Sequence, residues 1–212
     1  DSPITTVNLS LGTTWNSDDN PGWAMLENEF AQLEADGIFI SVSAGNSYED
    51  FNANGVSYPA SSDYVIPVMA TKDDGSLAYF SQRATYAVGA PGWGITSTVP
   101  DHNANDADSI DDDWGVKYGT SMAAPYLAGA STLIREAMEF VGQTSIDQWD
   151  IYDHIMDTAD SFYDSTSSTN YKRLNLEAAI DALMPVDDHG TSVATASNLG
   201  TLGEGSSSTG GV

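Results

Sequence analysis

The sequence predicts an α/β fold: a parallel sheet with helices on both faces. Three observations predict it. A strand, a helix and a second strand follow one another early in the chain, short apolar runs recur downstream, and a long helix with one apolar side begins at Ser121. Residues 5–11 alternate apolar and polar, and Gly12 closes that strand. Residues 16–22 are a polar loop. In residues 23–36, Trp23, Leu26, Phe30 and Leu33 recur at three- and four-residue spacing, which predicts an amphipathic helix with Gly37 at its C′ position. Residues 38–42 are apolar and follow at once, completing a βαβ unit whose strands run parallel.

Residues 65–70 and 86–90 read as further strands, and residues 101–113 as an acidic loop. Residues 121–140 are helical by pattern, with Leu127, Ile134 and Met138 on one side and Pro125 in the first turn, where a missing N–H does no harm. Ser145-Ile146-Asp147-Gln148 has a capping-box pattern opening a helix to about Thr158. Residues 175–183 form a last short helix. After Pro185 the composition turns small, polar and acidic, so residues 1–184 are read as one domain portion and residues 185–212 as a linker and the start of another.

The chain of 212 residues suits one domain, or one domain and a fragment. Its 31 acids against 6 bases give a formal charge of −25, which argues against nucleic-acid or anionic-lipid partners. That charge fits either salty surroundings or an acidic extracellular enzyme with calcium sites. Cysteine is absent, which excludes disulfides and thiolate metal sites. No run reaches the roughly 18 apolar residues of a membrane span. Asp1-Ser2-Pro3-Ile4 shows neither initiator Met nor signal-peptide regions, so an excerpt of a longer protein is expected.

Gly119-Thr120-Ser121 opens the long helix. A serine there sits among unpaired N–H groups at the positive end of the dipole, which favours an oxyanion beside its Oγ. On spacing alone, a plain N-cap is the commoner use of such a serine. Ser43-Ala44-Gly45-Asn46 ends a strand 75 residues before Ser121, and taken alone it is a common Gly-Asn turn.

The longer pattern changes the weighting. Gly119-Thr120-Ser121-Met122-Ala123-Ala124-Pro125, followed by Leu127-Ala128-Gly129-Ala130, resembles the nucleophile signature of the subtilisin-like serine proteases. Tyr126 departs from it, standing where the family usually has His. The resemblance covers roughly residues 3–184 and implies the family's three-layer fold, with its first strands lying before residue 1. It implies Ser121 as nucleophile and Asn46 as oxyanion donor. Residues 7–12 resemble the strand that pairs with substrate backbone, so Ser10, Leu11 and Gly12, with Ser43, Ala44 and Gly45, would line the cleft. Tyr58-Pro59-Ala60 resembles a segment with a cis proline. Ala90-Pro91-Gly92 and Arg173-Leu174-Asn175 are collinear as well.

A serine nucleophile needs a base and an acid that orients the base. By family order both precede Ser121, and no Asp-Ser-Gly or Asp-Thr-Gly occurs, so both are expected before residue 1. His102 and His154 read as surface or core histidines. His189-Gly190-Thr191-Ser192-Val193-Ala194 looks like the family's histidine motif, which would require a circular permutation, and Thr195 stands where that motif has Gly. Residues 187–199 better resemble the start of a bacterial pre-peptidase C-terminal domain.

Asp101, Asn103, Asn105 and Asp112 have an EF-hand-like count, but Asp106 stands where that loop wants Gly, so a solvated acidic loop is favoured. A weak cation site on the carbonyls near Ala60 and Val65 is another expectation from the family. No metal-ligating side chains are assigned. No cofactor is required, and calcium would serve stability only. The implied protein is a secreted or cell-surface endopeptidase acting on proteins or peptides, monomeric at full length. An inactive protease-like domain that binds peptides or builds a surface assembly is the alternative.

Overall fold

The computed structural model describes residues 4–100 and 114–184. In chain order it contains β1 (Thr6–Leu9), α1 (Glu27–Ala35), β2 (Phe39–Ser43), α2 (Tyr48–Phe51), β3 (Ile66–Thr71) and β4 (Val88–Pro91). Then come β5 (Ile95–Thr98), β6 (Trp114–Lys117), α3 (Thr120–Phe140), α4 (Gln148–Thr158), β7 (Asp160–Asp164), β8 (Thr169–Arg173) and α5 (Leu176–Asp181). The main sheet has the order β1-β2-β3-β4-β8-β7, and β5 and β6 form a separate antiparallel pair. The first five strands of that order run parallel, and only β7 is antiparallel, paired to β8.

Burial on both faces explains why the central strands are continuously apolar rather than alternating. Phe39, Ile66, Val68 and Val88 pack on one face with Leu127, Ile134 and Met138 of α3. Ile40, Val42 and Met69 point the other way, toward Phe30 of α1. The α/β architecture with helices on both faces is therefore observed, and the β1–α1–β2 unit is parallel, with Thr6 opposite Phe39 and Leu9 opposite Val42.

Several boundaries differ from expectation for local reasons. α1 begins at Glu27, not at Trp23, because the Leu26 N–H donates to the Tyr58 hydroxyl at 3.1 Å and Trp23 stacks edge-on to Trp15 and Tyr58. The fourth strand begins at Val88 because the Ala87 N–H closes a turn onto the Ala84 carbonyl at 3.1 Å. The capping box of α4 is Asp147 with Asp150, rather than the pattern beginning at Ser145. Asp147 accepts from the Trp149 and Asp150 N–H groups, and Asp150 accepts from the Asp147 N–H. α3 begins at Thr120, so Pro125 falls in the second turn and not the first. α5 spans Leu176–Asp181, with Asn175 as its N-cap.

The short α2, the β5–β6 pair and the β7–β8 hairpin were not expected. The Tyr58–Pro59 peptide bond is cis, as expected. The acidic loop of residues 101–113, with its EF-hand-like count, and the tail from Pro185, with His189 and the proposed second domain, lie outside the described residues.

Candidate active site

The site lies where β1, β2 and the start of α3 meet. Gly119 precedes α3 with φ +151°, a conformation that favours glycine, and its N–H is fixed by the Gly92 carbonyl at 2.9 Å. The chain thus enters the helix so that Ser121 stands near its N-terminus. Thr120 beside it is fully buried.

Asn46 is oriented from this end of the helix. Its Oδ1 accepts from the Thr120 N–H at 2.9 Å and from the Thr120 hydroxyl at 3.0 Å. The Thr120 Oγ1 in turn accepts from the Gly45 N–H at 3.1 Å. With Oδ1 engaged, the Asn46 amide nitrogen is turned outward. A β-carbon built on Gly119 would lie 3.5 Å from Asn46 Nδ2 and 3.6 Å from the Ser121 nitrogen. One side-chain amide, whose Oδ1 also lies 3.7 Å from that point, and the nitrogen at the helix start thus stand close together beside Gly119. Such an arrangement stabilises negative charge developing on an oxygen held there.

Ser121 and Ser10 are doubly joined. The Ser121 hydroxyl donates to the Ser10 carbonyl at 3.3 Å, and the Ser10 hydroxyl donates to the Ser121 carbonyl at 2.7 Å. Pro125 has no N–H to give the Ser121 carbonyl, so Ser10 takes over an acceptor that the helix leaves open. Leu11 is 55% exposed, Ser10 and Gly12 are exposed beside it, and the Leu11 carbonyl is held by the Ser43 hydroxyl at 3.0 Å. The structure thus brings Ser10, Leu11, Ser43, Asn46 and Ser121 together.

The 43–45 segment is packed inward, and none of its residues lines either cleft described below. Ser43 and Ala44 are buried, and Ala44 donates to the Val68 carbonyl at 2.9 Å and accepts from Ser57 at 2.7 Å. Gly45, at φ +110°, leaves no room for a side chain: a β-carbon there would sit 2.0 Å from Gln82 Oε1.

Two clefts open here, one at Asn46 and one at Ser121. One of about 390 Å³ is lined by Asn46 and by Tyr79, Phe80, Trp93 and Tyr118, whose rings form a contiguous set, with Phe80 and Trp93 stacked at 6.0 Å. The other, of about 380 Å³, holds Ser121, Met122 and Tyr126 against Ile95. Sequence reasoning missed the aromatic wall and the orienting role of Thr120. The wall is assembled from three separate segments, and the threonine looks like an ordinary neighbour of the serine.

His154, on α4, has its Nε2 2.7 Å from the Ala179 carbonyl and packs against α5, away from Ser121. Asn175 caps α5 and donates to Asp160 at 3.0 Å, which gives it a structural part. Among the described residues no group of His, Cys, Asp and Glu could hold a metal ion, and no helix is long and apolar enough to cross a membrane.

Residues 1–177 match the family model Peptidase_S8, the subtilase family. The chain belongs to the subtilase family. It is 32% identical over 146 residues to an extracellular basic protease of Dichelobacter nodosus, covering 67% of this chain and 22% of that protein. It is 36% identical over 129 residues to subtilisin DY of Bacillus licheniformis, covering 60% of this chain and 41% of that protein. It is 31% identical over 174 residues to subtilisin BL of Lederbergia lenta, covering 82% and 55%. The chain therefore spans only part of the length of each of these subtilases. Among solved structures, the prenylagaramide maturation protease PagA superposes with TM-score 0.68 at 22% identity, over 85% of this chain and 62% of that one. A protease from Pseudoalteromonas arctica superposes with TM-score 0.66 at 24% identity, over 86% and 52%. These likenesses show a shared fold.

Proposed function

We propose that the full-length protein is a secreted serine endopeptidase and that Ser121 is its nucleophile. One observation supports this reading: Asn46 Nδ2 and the Ser121 nitrogen lie 3.5 and 3.6 Å from the same point beside Gly119, at the start of the helix that carries Ser121. Ser121 Oγ attacks the scissile carbonyl and gives its proton to a histidine supplied from outside these residues. The carbonyl oxygen becomes an oxyanion held by Asn46 Nδ2 and the Ser121 N–H. Collapse of the tetrahedral intermediate expels the amine, which takes the proton, and leaves the acyl group on Ser121. Water then hydrolyses this ester by the same steps in reverse. An aspartate, also from outside, orients the histidine.

An extended peptide adds as a strand along Ser10, Leu11 and Gly12, which are exposed as residues, and displaces the Ser121 hydroxyl from the Ser10 carbonyl. Protein or peptide substrates, an extracellular site of action and calcium as a purely stabilising ion fit this reading. The relatives' extracellular and subtilisin descriptions support it.

The test uses the full-length protein and a fluorophosphonate probe. Wild type should be labelled and should hydrolyse a peptide substrate, and Ser121→Ala should do neither. Labelling that persists in Ser121→Ala would assign the nucleophile elsewhere. A wild type that binds peptides but neither reacts nor hydrolyses would instead be a binding domain of protease-like fold.

A further inference from the structure

Arg83 lies outside the cleft, and the mechanism above does not use it. It is nonetheless 1% exposed. A guanidinium is costly to bury unless its charge and its donors are matched. Here Nη1 donates to Asp164 at 2.8 Å, Nε to the Ser81 carbonyl at 3.0 Å, and Nη2 to the Tyr79 and Ala78 carbonyls at 3.4 and 3.5 Å. Its flat face covers the Tyr48 ring, 3.3 Å from the centroid.

Residues interleaved with these partners bracket Asn46. The Gln82 N–H donates to the Gly45 carbonyl at 2.9 Å, and the Tyr48 N–H donates to the Phe80 carbonyl at 3.0 Å. The turn bearing Asn46 is thus clamped before and after that residue by the 80–82 segment. Arg83 fixes the shape of residues 78–82 through the Ala78, Tyr79 and Ser81 carbonyls and the turn itself through Tyr48. Asp164 is held by the Ser167 hydroxyl at 2.6 Å and the Ser167 N–H at 2.9 Å, so the anchor is the β7–β8 hairpin rather than a free side chain. We infer that Arg83 is a positioning residue for Asn46: with Asp164, it holds the turn that aims the amide at the oxyanion. This rests on the reading of Asn46 as an oxyanion donor.

A double-mutant cycle on the full-length protein tests the inference. Arg83→Lys keeps the charge but loses the fork and the flat face. It should lower kcat roughly tenfold, the scale of a small misplacement of a catalytic group, with KM changed less than about twofold. In an Asn46→Ala background the same substitution should change kcat by less than about twofold, because the group it positions is gone. Asp164→Asn, which keeps the shape, should follow the same pattern, and it carries the cycle if Arg83→Lys does not fold.

Equal losses in both backgrounds would show a general structural effect and overturn the inference while leaving the oxyanion reading intact. Unchanged kcat in both single variants would overturn it too. If Asn46→Ala alone leaves kcat unchanged, the oxyanion reading fails and takes this inference with it.

Discussion

The Ser10 hydroxyl donates to the Ser121 carbonyl at 2.7 Å, the acceptor that Pro125 leaves open in α3. The relationship ties the exposed end of β1 to the helix that carries the candidate nucleophile. Ser10→Ala should remove about 0.5–1.5 kcal/mol of stability. In a Pro125→Ala background a new N–H can reach the Ser121 carbonyl, so Ser10→Ala should then cost far less. Melting temperatures of the four proteins check this, and an equal Ser10→Ala loss in both backgrounds would contradict it.

Gly119→Ala should be costly twice over. At φ +151° a side chain strains the backbone, by about 1–3 kcal/mol. Its β-carbon would also stand against Asn46 Nδ2 and the Ser121 nitrogen, at 3.5 and 3.6 Å, where the proposed oxyanion would be held. Peptide hydrolysis by the full-length protein should fall at least as far as when one oxyanion donor is lost, about 10²–10³, the scale known from subtilisin itself. Near-normal kcat in a folded Gly119→Ala protein would mean that no oxyanion forms in that space.

Thr120→Val separates the orientation of Asn46 from its presence. The variant keeps shape but loses the hydroxyl that serves both Asn46 Oδ1 and the Gly45 N–H. The Gly45 donor is then unmatched, at a cost of about 1–3 kcal/mol. The expected kinetic result is a fall in kcat with KM held, smaller than for Asn46→Ala, measured on a peptide amide. A change in KM alone would place Thr120 in substrate binding instead.

The parts legible in the sequence are those where one local signal decides. The apolar side of α3 and the strand, helix and strand around α1 follow from spacing alone. The start of α1 misled because Trp23 and Leu26 keep helical spacing while a tertiary bond from Leu26 to Tyr58 claims the turn. The β7–β8 hairpin escaped notice because Asp160 and Asp164 sit in its first strand, and its turn uses Ser168 at φ +53° where a glycine would have been the usual sign. At the candidate site, Ser121 and Asn46 are singled out only by a long motif, since each alone reads as a cap or a turn. Arg83 was invisible: nothing in its neighbourhood in the chain announces a buried charge, and its anion is 81 residues away.

That ion pair also sets an expected acid sensitivity. Burial pushes the Asp164 carboxyl upward, but the Ser167 hydroxyl and N–H and the Arg83 charge outweigh it and hold the carboxyl below its usual range. A carboxylate lowered in the folded state contributes stability that is complete above its unfolded value, about 3.9, and fades as pH falls through the lower folded value. In that window the unfolded chain binds the extra proton, so stability rises with pH. Asp164→Asn cannot titrate and should show a shallower loss of melting temperature between about pH 4 and pH 2 than wild type. At neutral pH it should melt lower, because Arg83 stays buried without its anion, a type of loss worth about 3–5 kcal/mol when a partner is removed outright. Asp160, lowered by bonds from Asn175 and Arg173 but largely solvent-facing, should add little to the slope. Equal acid slopes in wild type and Asp164→Asn would show that the Arg83–Asp164 pair does not govern acid unfolding.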